Sequence, residues 1–488
     1  MADRSDRPAP TDDALRDELA RTRRENARLR DDLARVERER ADLQRDRDRL
    51  RRENERLKDD LEAARRAGAR QAAPFSKGVP ASHPKRPGRK AGPAHGRHGQ
   101  RRVPSHPDET HEAPLPPGCP HCGGPVHETR VADQYQEDLP RVRPVVRRFR
   151  VHIGRCTQCH RRVQGRHPWQ TSDALGAAAV QLGPHAIALA VTLNKQFGVS
   201  FGKIATLFHQ RLGLTWTRGA IVRALHRTAR QAAPTYAALC QTVRGSPMVT
   251  PDETGWRVGG RLHWLWAFAT PDTTVYAIRQ GRGFPEAASI LGADFGGVLV
   301  RDGWAPYRQF TRAAHQTCLA HLLRRASLLR HDHPHTRLPG AVHGLLRQAL
   351  ALRDRHQGGR VSRHGLAVAR GRLIAALGTV LNRTSVVADV ERFAAHLTVE
   401  FRAIFSFLFD PTLDATNWRA EQALRPAVVT RKMAGGGNRS ARGAATQQVL
   451  ASVLRTAHLR DVDAVPLVVD LLRAPTPTPS AALQSPRQ

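Results

Sequence analysis

Three carboxylates stand apart in this chain by their surroundings: Asp252 in VTPDETGWRV, Asp302 in GVLVRDGWAPY and Glu421 in TNWRAEQALRP. The first two follow or end apolar runs that read as strands, and the third sits in a helical pattern. Carboxylates of this kind suit Mg²⁺, a hard cation that prefers carboxylate and water oxygens. Two such ions about 3.5–4 Å apart can clamp the attacking and leaving oxygens of an in-line phosphoryl displacement. One carboxylate would bridge both ions, and a third from a helix would complete the set. Glu253 adjoins Asp252 but would point to the opposite face of a continuing strand, so it is not expected as a ligand. The bland alternative for an Asp after a strand is a turn or a cap. Against it, the Gly and aromatic residues of DETGW and DGWAPY would shape the rim of a pocket.

The elements that must position these groups begin at Met248. The runs MVTPDETGW, LHWLWAFAT and TVYAIR read as three strands, FPEAASILGA as a helix, and GGVLVRD as a fourth strand. That order predicts an RNase H-like α/β domain, with Asp252 ending the first strand and Asp302 the fourth. The two carboxylates would then lie side by side on neighbouring strands.

The wider composition fits a polyphosphate partner. The 488 residues carry 78 Lys and Arg against 44 Asp and Glu, a formal net charge of +34. Such an excess favours nucleic acid. No apolar run approaches the roughly 20 residues that span a bilayer. The polar start MADRSDRPAPTDD lacks the apolar core of a signal peptide. The expectation is a cytoplasmic, nucleoid-associated bacterial protein with reduced thiols and no membrane partner.

Upstream of the strands, Leu15, Leu29, Val36, Leu43, Leu50 and Leu57 share one seven-residue register, with Leu19, Asn26, Leu33, Arg40, Arg47, Asn54 and Leu61 four positions on. This heptad predicts a coiled coil over 13–66 that pairs the chain into a homodimer or higher oligomer, with Asn26 and Asn54 fixing its register. From Gly68 to Ser105 there is no Asp or Glu but nine Lys or Arg. This stretch reads as a flexible basic linker whose Lys85, Arg86, Arg89 and Lys90 would track phosphates. Cys119-Pro-His-Cys122 and Cys156-Thr-Gln-Cys159, 33 residues apart, suit a structural Zn²⁺ held by four thiolates in a zinc-ribbon-like module with two or three short strands between the pairs. Cys240 and Cys318 belong to no pair and read as buried thiols. Residues 172–240 read as helical. Within them SFGKIATLFHQRLGLTWTRGAIVRAL makes two amphipathic stretches around Gly213, the second capped by Thr217, which suits a helix-turn-helix as well as plain helical packing.

Taken together, DETGWRVGGRLHWLWAFAT, LGADFGGVLVRDGWAPYRQF, HQTCLAHLLRR and TNWRAEQALRPAVVTRKMAGGGNRS resemble the DDE transposases of the insertion-sequence-66 family. The resemblance covers nearly the whole chain, including the N-terminal heptads, the basic segment and both CxxC pairs. It implies that Asp252, Asp302 and Glu421 are the catalytic, metal-holding triad, and it selects Glu421 over Glu391 and Glu400, which also lie on helical stretches. It implies two Mg²⁺ ions, with Mn²⁺ as a substitute. It also implies that the protein cuts the ends of its own mobile element and joins them to target DNA, with small accessory proteins of the element as further partners. Trp418 stands where Asn is usual and Gln422 where Arg is usual, which bears only on contacts beside Glu421.

The remaining segments follow. Residues 324–410 are Ala-, Leu- and Arg-rich and helical, an insertion that would act as lid, DNA-contacting arm or dimer surface. Cys318-Leu-Ala-His321 resembles a pattern found beside the active site of DDE enzymes with helical insertions, where His321 would meet a phosphate or base; a packed structural histidine fits the pattern equally well. After Glu421, Arg425, Arg431, Lys432, Asn438 and Arg439 surround a glycine run whose backbone can approach phosphates closely. It is not a Walker loop, since GK[ST] is absent.

The expected architecture is multidomain α+β. Residues 1–12 are disordered, 13–66 form the coiled coil, 67–117 the linker, 118–165 the zinc-ribbon-like module and 166–243 a helical DNA-binding region. Residues 244–323 begin a retroviral-integrase-like catalytic domain, 324–410 are its helical insertion, 411–460 its final helix and Gly-rich basic loop, and 461–488 a helix with a disordered tail. Two other functions share parts of this pattern: an inactive sequence-specific DNA-binding protein, and a metal-dependent nuclease without strand transfer.

Overall fold

The computed structural model describes residues 12–71, 102–140, 142–175, 180–383, 385–433 and 436–483. Lys85, Arg86, Arg89 and Lys90 lie outside them. The chain divides into two units, Met1–Arg101 and Arg102–Gln488.

The first unit contains one helix, α1 (Asp12–Gln71). Of its heptad side chains among the described residues, Leu29, Leu33, Val36, Leu43 and Leu50 are all more than half exposed.

The second unit opens with a region of little regular structure. Its two strands, β1 (Ile153–Arg155) and β2 (Arg162–Gln164), pair antiparallel and flank the second cysteine pair. Of the two or three strands expected between the pairs, only β1 is present among the described residues, and 124–140 and 142–152 hold none. Alternating sequence without a partner edge does not make a strand, because each strand needs cross-strand hydrogen bonds.

Four helices follow: α2 (Pro184–Lys195), α3 (Phe201–Leu212), α4 (Arg218–Gln231) and α5 (Ala233–Arg244). Among the described residues of this region, helix begins at Pro184 rather than at 172, at a residue whose fixed φ suits a first helical turn. Gly213 ends α3, and the Thr217 hydroxyl accepts the Ala220 N–H at the start of α4, as expected.

The sheet has the order β5-β4-β3-β6-β7. β3 (Met248–Val258), β4 (Arg261–Ala269) and β5 (Thr274–Arg279) form an antiparallel meander. After α6 (Phe284–Leu291) the chain returns as β6 (Val298–Arg301), parallel to β3, and then as β7 (Ala314–Thr317), parallel to β6. One difference from expectation is that Asp252 lies in the middle of β3, not at its end.

Helices α7 (Leu319–Asp332), α8 (Arg337–Gln357), α9 (Arg363–Leu381) and α10 (Ala388–Ile404) form the insertion. They bury their own apolar cluster around Leu346, Leu377, Phe393 and Leu397, distinct from the clusters on either sheet face. The chain closes with α11 (Trp418–Met433), α12 (Ala441–Leu459) and α13 (Ala464–Arg473). One face of the sheet packs on α2 to α6, α12 and α13, while α11 covers the other.

The outer edge of β5 is sealed by side chains. The N–H groups of Thr274, Tyr276 and Ile278 donate to Thr456 Oγ1 (3.1 Å), Ser452 Oγ (2.8 Å) and Gln448 Oε1 (3.1 Å) on α12. The match is geometric: four helical residues rise about 6 Å, close to two strand residues at about 3.3 Å each.

The tail differs from its expected disorder as far as Leu483. Ser480 N donates to Thr235 Oγ1 (2.9 Å), Arg460 donates to the Leu483 carbonyl (2.8 Å), and Leu483 is buried. An apolar side chain and a backbone acceptor for a buried guanidinium outweigh the Pro-rich composition. Among the described residues, no helix is long and apolar enough to cross a membrane.

Candidate active site

Strand register alone sorts the acidic residues onto two faces. Asp252 pairs with Ala267, and Ala267 with Tyr276. Ala267 and Tyr276 pack under Ala423 and Leu424 of α11, so Asp252 shares the face that α11 covers. Glu253 pairs with Trp266 and faces the other way, as the two-residue strand period requires. The parallel β3–β6 ladder pairs Met248 with Val298 and Val249 with Leu299, and continuing it by three positions brings Asp252 level with Asp302. Asp302 follows directly on β6.

Glu421 joins them from the first turn of α11. Its N–H and that of Ala420 both reach the Asn417 carbonyl, at 3.2 and 3.1 Å, which sets the start of the helix. The helix contains Pro426, which cannot donate to the carbonyl one turn back. The buried Tyr276 hydroxyl donates to the Ala423 carbonyl at 2.6 Å, tying this interrupted turn to the strand partner of Ala267.

The three carboxylates share an electrostatic neighbourhood. Burial, with the charges of Glu253, Asp302 and Glu421, pushes the Asp252 carboxyl up to about 7, although the Glu253 N–H supports the ionised form at 2.9 Å. Among the described residues no ion pair offsets Asp252 or Asp302. An acidic oxygen set lacking a cationic partner is the chemistry that a hard divalent ion complements. The side chains are not gathered as a closed cage: among the described residues, no three or more His, Cys, Asp or Glu groups converge to hold a metal ion.

His321 lies in the first turn of α7, with Nε2 3.8 Å from Glu421 Oε1. Its Nδ1 is buried with no hydrogen-bond partner, as are both amide atoms of Asn417. The Asn417 N–H donates to Cys318 Sγ at 3.3 Å, and Cys318 is buried, as is Cys240. Thus Cys318, His321, Asn417 and Glu421 form one junction between α7 and α11.

Two supporting networks were not legible in the sequence. Glu253, with a fully buried side chain, receives Arg282 Nε at 2.6 Å and the Tyr307 hydroxyl. The Arg282 guanidinium lies 4.7 Å from the Trp264 ring centre and 4.0 Å from that of Trp304. Trp304 in turn donates its indole N–H to the Arg282 carbonyl (3.1 Å) and its backbone N–H to Asp302 Oδ1 (3.0 Å). A chain of contacts therefore runs from Glu253 through Arg282 and Trp304 to Asp302. In the second network, buried Arg301 pairs with Glu400 Oε2 at 2.8 Å, joined by Arg308 (2.9 Å) and Thr317 Oγ1 (2.5 Å). Glu400 is thus committed to neutralising Arg301. Glu391 is exposed and accepts the Ser385 N–H. Gly303 sits against α10 so closely that a Cβ would lie 2.4 Å from His396 Cε1. The only available signal was an Arg ending an apolar strand, which demands a buried partner without naming it.

The basic residues after Glu421 divide. Arg425, Lys432 and Arg439 are exposed. Arg431 is partly buried and bonds the Gly255 carbonyl of β3. Asn438 is engaged by the protein: its Oδ1 accepts the Trp256 indole N–H (2.8 Å), and its backbone bonds Arg257 and Gly259.

The two cysteine pairs form matching turns. Cys119 N donates to Gly124 O and Gly123 N to Cys119 O, both at 2.8 Å, while Cys156 N donates to Arg161 O (2.9 Å) and His160 N to Cys156 O (3.0 Å). Gly123 and His160 hold the same left-handed position, at φ 73° and 53°. Backbone N–H groups of His121 and Cys122 lower the Cys119 thiol pKa, and those of Cys159 and Gln158 lower that of Cys156. The four sulfurs do not converge.

An acidic site on a mixed sheet, in a chain of net charge +34, has the chemistry that a nucleic-acid-processing protein needs. Residues 179–446 match the model of the Transposase IS66 family, and the chain belongs to that family. A search of curated proteins finds no match to the chain.

Proposed function

We propose that the protein is a DDE transposase that binds the terminal repeats of its own element, cleaves there and joins the ends to target DNA. The observation that supports this reading is that Asp302 and Glu421 both act on the Asp252 carboxyl, which lies on the α11 face of a sheet whose order supports an RNase H-like domain. These three would hold Mg²⁺, two ions, or Mn²⁺ in its place. When bound, such ions supply Lewis-acid polarisation of the scissile phosphate and a water acidic enough to attack it.

The chain's own residues supply position and charge. Trp304 fixes one oxygen of Asp302, leaving the other free. Tyr276 and Asn417 set the height of Glu421. His321, beside Glu421, faces the leaving or attacking strand. Arg425, Lys432 and Arg439 take phosphates of the flanking backbone and position the duplex. Cleavage breaks the P–O3′ bond with water as nucleophile. Joining forms a new P–O bond from the freed 3′-hydroxyl and expels the 3′-oxygen of the target strand.

In this reading α1 pairs chains through its exposed heptad face, and Cys119 with Cys122 and Cys156 with Cys159 would each offer two thiolates to a structural Zn²⁺ once the two turns, which are apart here, close on one another. Arg431 and Asn438 act through the protein, holding the Gly-rich loop against β3 rather than reading DNA.

Incubation of the full chain with labelled element ends, target plasmid and Mg²⁺ tests the reading. Joined product is expected. Cuts alone would instead indicate a nuclease, and a gel shift alone a DNA-binding protein. Asp302→Ala should abolish cutting while changing DNA affinity by less than about twofold, and persistence of cutting in that variant would overturn the triad.

A further inference from the structure

Beside α11, on the side away from β3, lies a cavity of about 300 Å³. It is bounded by the end of α2, by Leu265 and Tyr276 of the sheet, by Pro426 to Thr430 of α11 and by α12. A second hollow of about 250 Å³ shares Phe197, Pro426, Thr430 and Arg455 with it and extends to Gln422 and Arg425. Gln422 adjoins Glu421 on the same turn of α11, so the two hollows form one groove whose outer part opens beside that turn and whose inner part is half closed.

The walls have one sign of charge. Lys195, Arg425, Arg455 and His458 contribute to them, and no Asp or Glu does. Among the described residues, none of Lys195, Arg425 and Arg455 has a carboxylate partner. Lys195 instead donates to Gln447 Oε1 at 2.6 Å, and Arg455 Nε is buried with no partner. The inner lining is flat and apolar, from Leu265, Pro426, Ala427, Ala451 and Leu454. Phe197 stands at the mouth, 70 % exposed. The exposed rings of Phe409 and Trp418 each carry a guanidinium, from Arg370 and Arg419, whereas among the described residues no such contact covers Phe197. Its position is held by the chain: Gly198 has φ 68°, and a Cβ there would lie 2.7 Å from Thr430 Oγ1, so only glycine lets this loop close on α11.

An exposed ring, an apolar slot sized for one small ligand and unpaired cations at its edge are the parts of a nucleotide site. We propose that this groove holds one unpaired nucleotide of a DNA strand, its base stacked on Phe197 and entering the cavity, its phosphate against Arg425 and Arg455. The proposal rests on the reading of Asp252, Asp302 and Glu421 as a DNA-cutting site, since that places a DNA strand at the open end of the groove. A base can enter only when it is out of the duplex, so the site selects strand ends that have opened beside the scissile phosphate.

The test uses the full chain, a blunt duplex and a duplex of equal length ending in three unpaired nucleotides, one of them 2-aminopurine. The overhang duplex should bind about tenfold tighter, the size expected for one stacked base, with a change in 2-aminopurine fluorescence. Phe197→Ala should remove that preference and the fluorescence change while leaving blunt-duplex affinity as it was. Phe197→Trp should keep both. Equal binding of the two duplexes by the wild type, or an undiminished preference in Phe197→Ala, overturns the site. Displacement of the overhang by micromolar dAMP would assign the groove to a free nucleotide and overturn the strand reading. The two proposals fail separately: an overhang preference without cleavage sinks the transposase reading alone, and cleavage without the preference sinks the nucleotide site alone.

Discussion

Asp252 and Glu253 are consecutive in β3 and face opposite sides of the sheet, one toward α11 and the other into the Arg282–Tyr307 pocket. Their replacement should therefore have opposite signatures. Glu253→Ala leaves Arg282 without its partner and strips the acceptor from the buried Tyr307 hydroxyl. Because Arg282 is partly solvated, the cost falls below that of a wholly buried pair, at about 2–3 kcal/mol of folding stability. Chemical denaturation should read this loss, and a change below 0.5 kcal/mol would count against the network.

Asp252→Asn should act on ion binding rather than on folding. A divalent ion that binds only the native state stabilises it by about 2.7 kcal/mol at a hundred times its dissociation constant. The melting temperature of the wild type should rise on titration with Mg²⁺ or Mn²⁺, and that of Asp252→Asn should not. An equal rise in both proteins would place the ion elsewhere.

Glu400 gives the pH dependence. Burial alone would raise its pKa, but Arg301, Thr317 and Arg308 outweigh burial and hold it below the ordinary 4.5. A depressed carboxyl stabilises the fold at pH above its unfolded value and loses that contribution as pH falls through the lowered native value. Glu400→Gln should cost about 3 kcal/mol at pH 7, because Arg301 stays buried without a counter-charge. The gap between variant and wild type should narrow below about pH 4. A gap that stays constant with pH would refute this assignment.

The heptad face of α1 predicts self-association. Leu43→Asp with Leu50→Asp puts two charges into that face, and sedimentation should then show dissociation to monomer where the wild type is paired. An unchanged mass would remove α1 from the interface.

Much of the sheet was readable because apolar, β-branched runs leave few alternatives. β3 to β6 fall where their patterns lie, and Asp302 closes β6 as its GVLVRD run implies. β3 spans the whole MVTPDETGW run, so Asp252 lies inside it instead of ending it, and Pro251 and Gly255 are tolerated there beside an antiparallel partner. β7 escaped because AHQT has no apolar pattern: Gln316 is buried but satisfied by the Thr317 and Ile404 carbonyls. Glu400 and Glu421 both lie on helices, and nothing local separates a buried counter-ion from an open carboxylate. That difference comes from Arg301, which is remote in sequence. Asn438 looked like a phosphate contact because glycines surround it, but those glycines let the loop pack against β3.

The sealing of β5 by Gln448, Ser452 and Thr456 also links folding to the order of synthesis. Each of these residues follows its strand partner by some 170 to 182 positions. A growing chain therefore carries Asp252 and Asp302 on a sheet with an open edge until α12 has been made, and an open edge invites pairing with another chain. A chain interrupted before α12 would keep β5 as an open strand edge, exposed to pairing with a second copy.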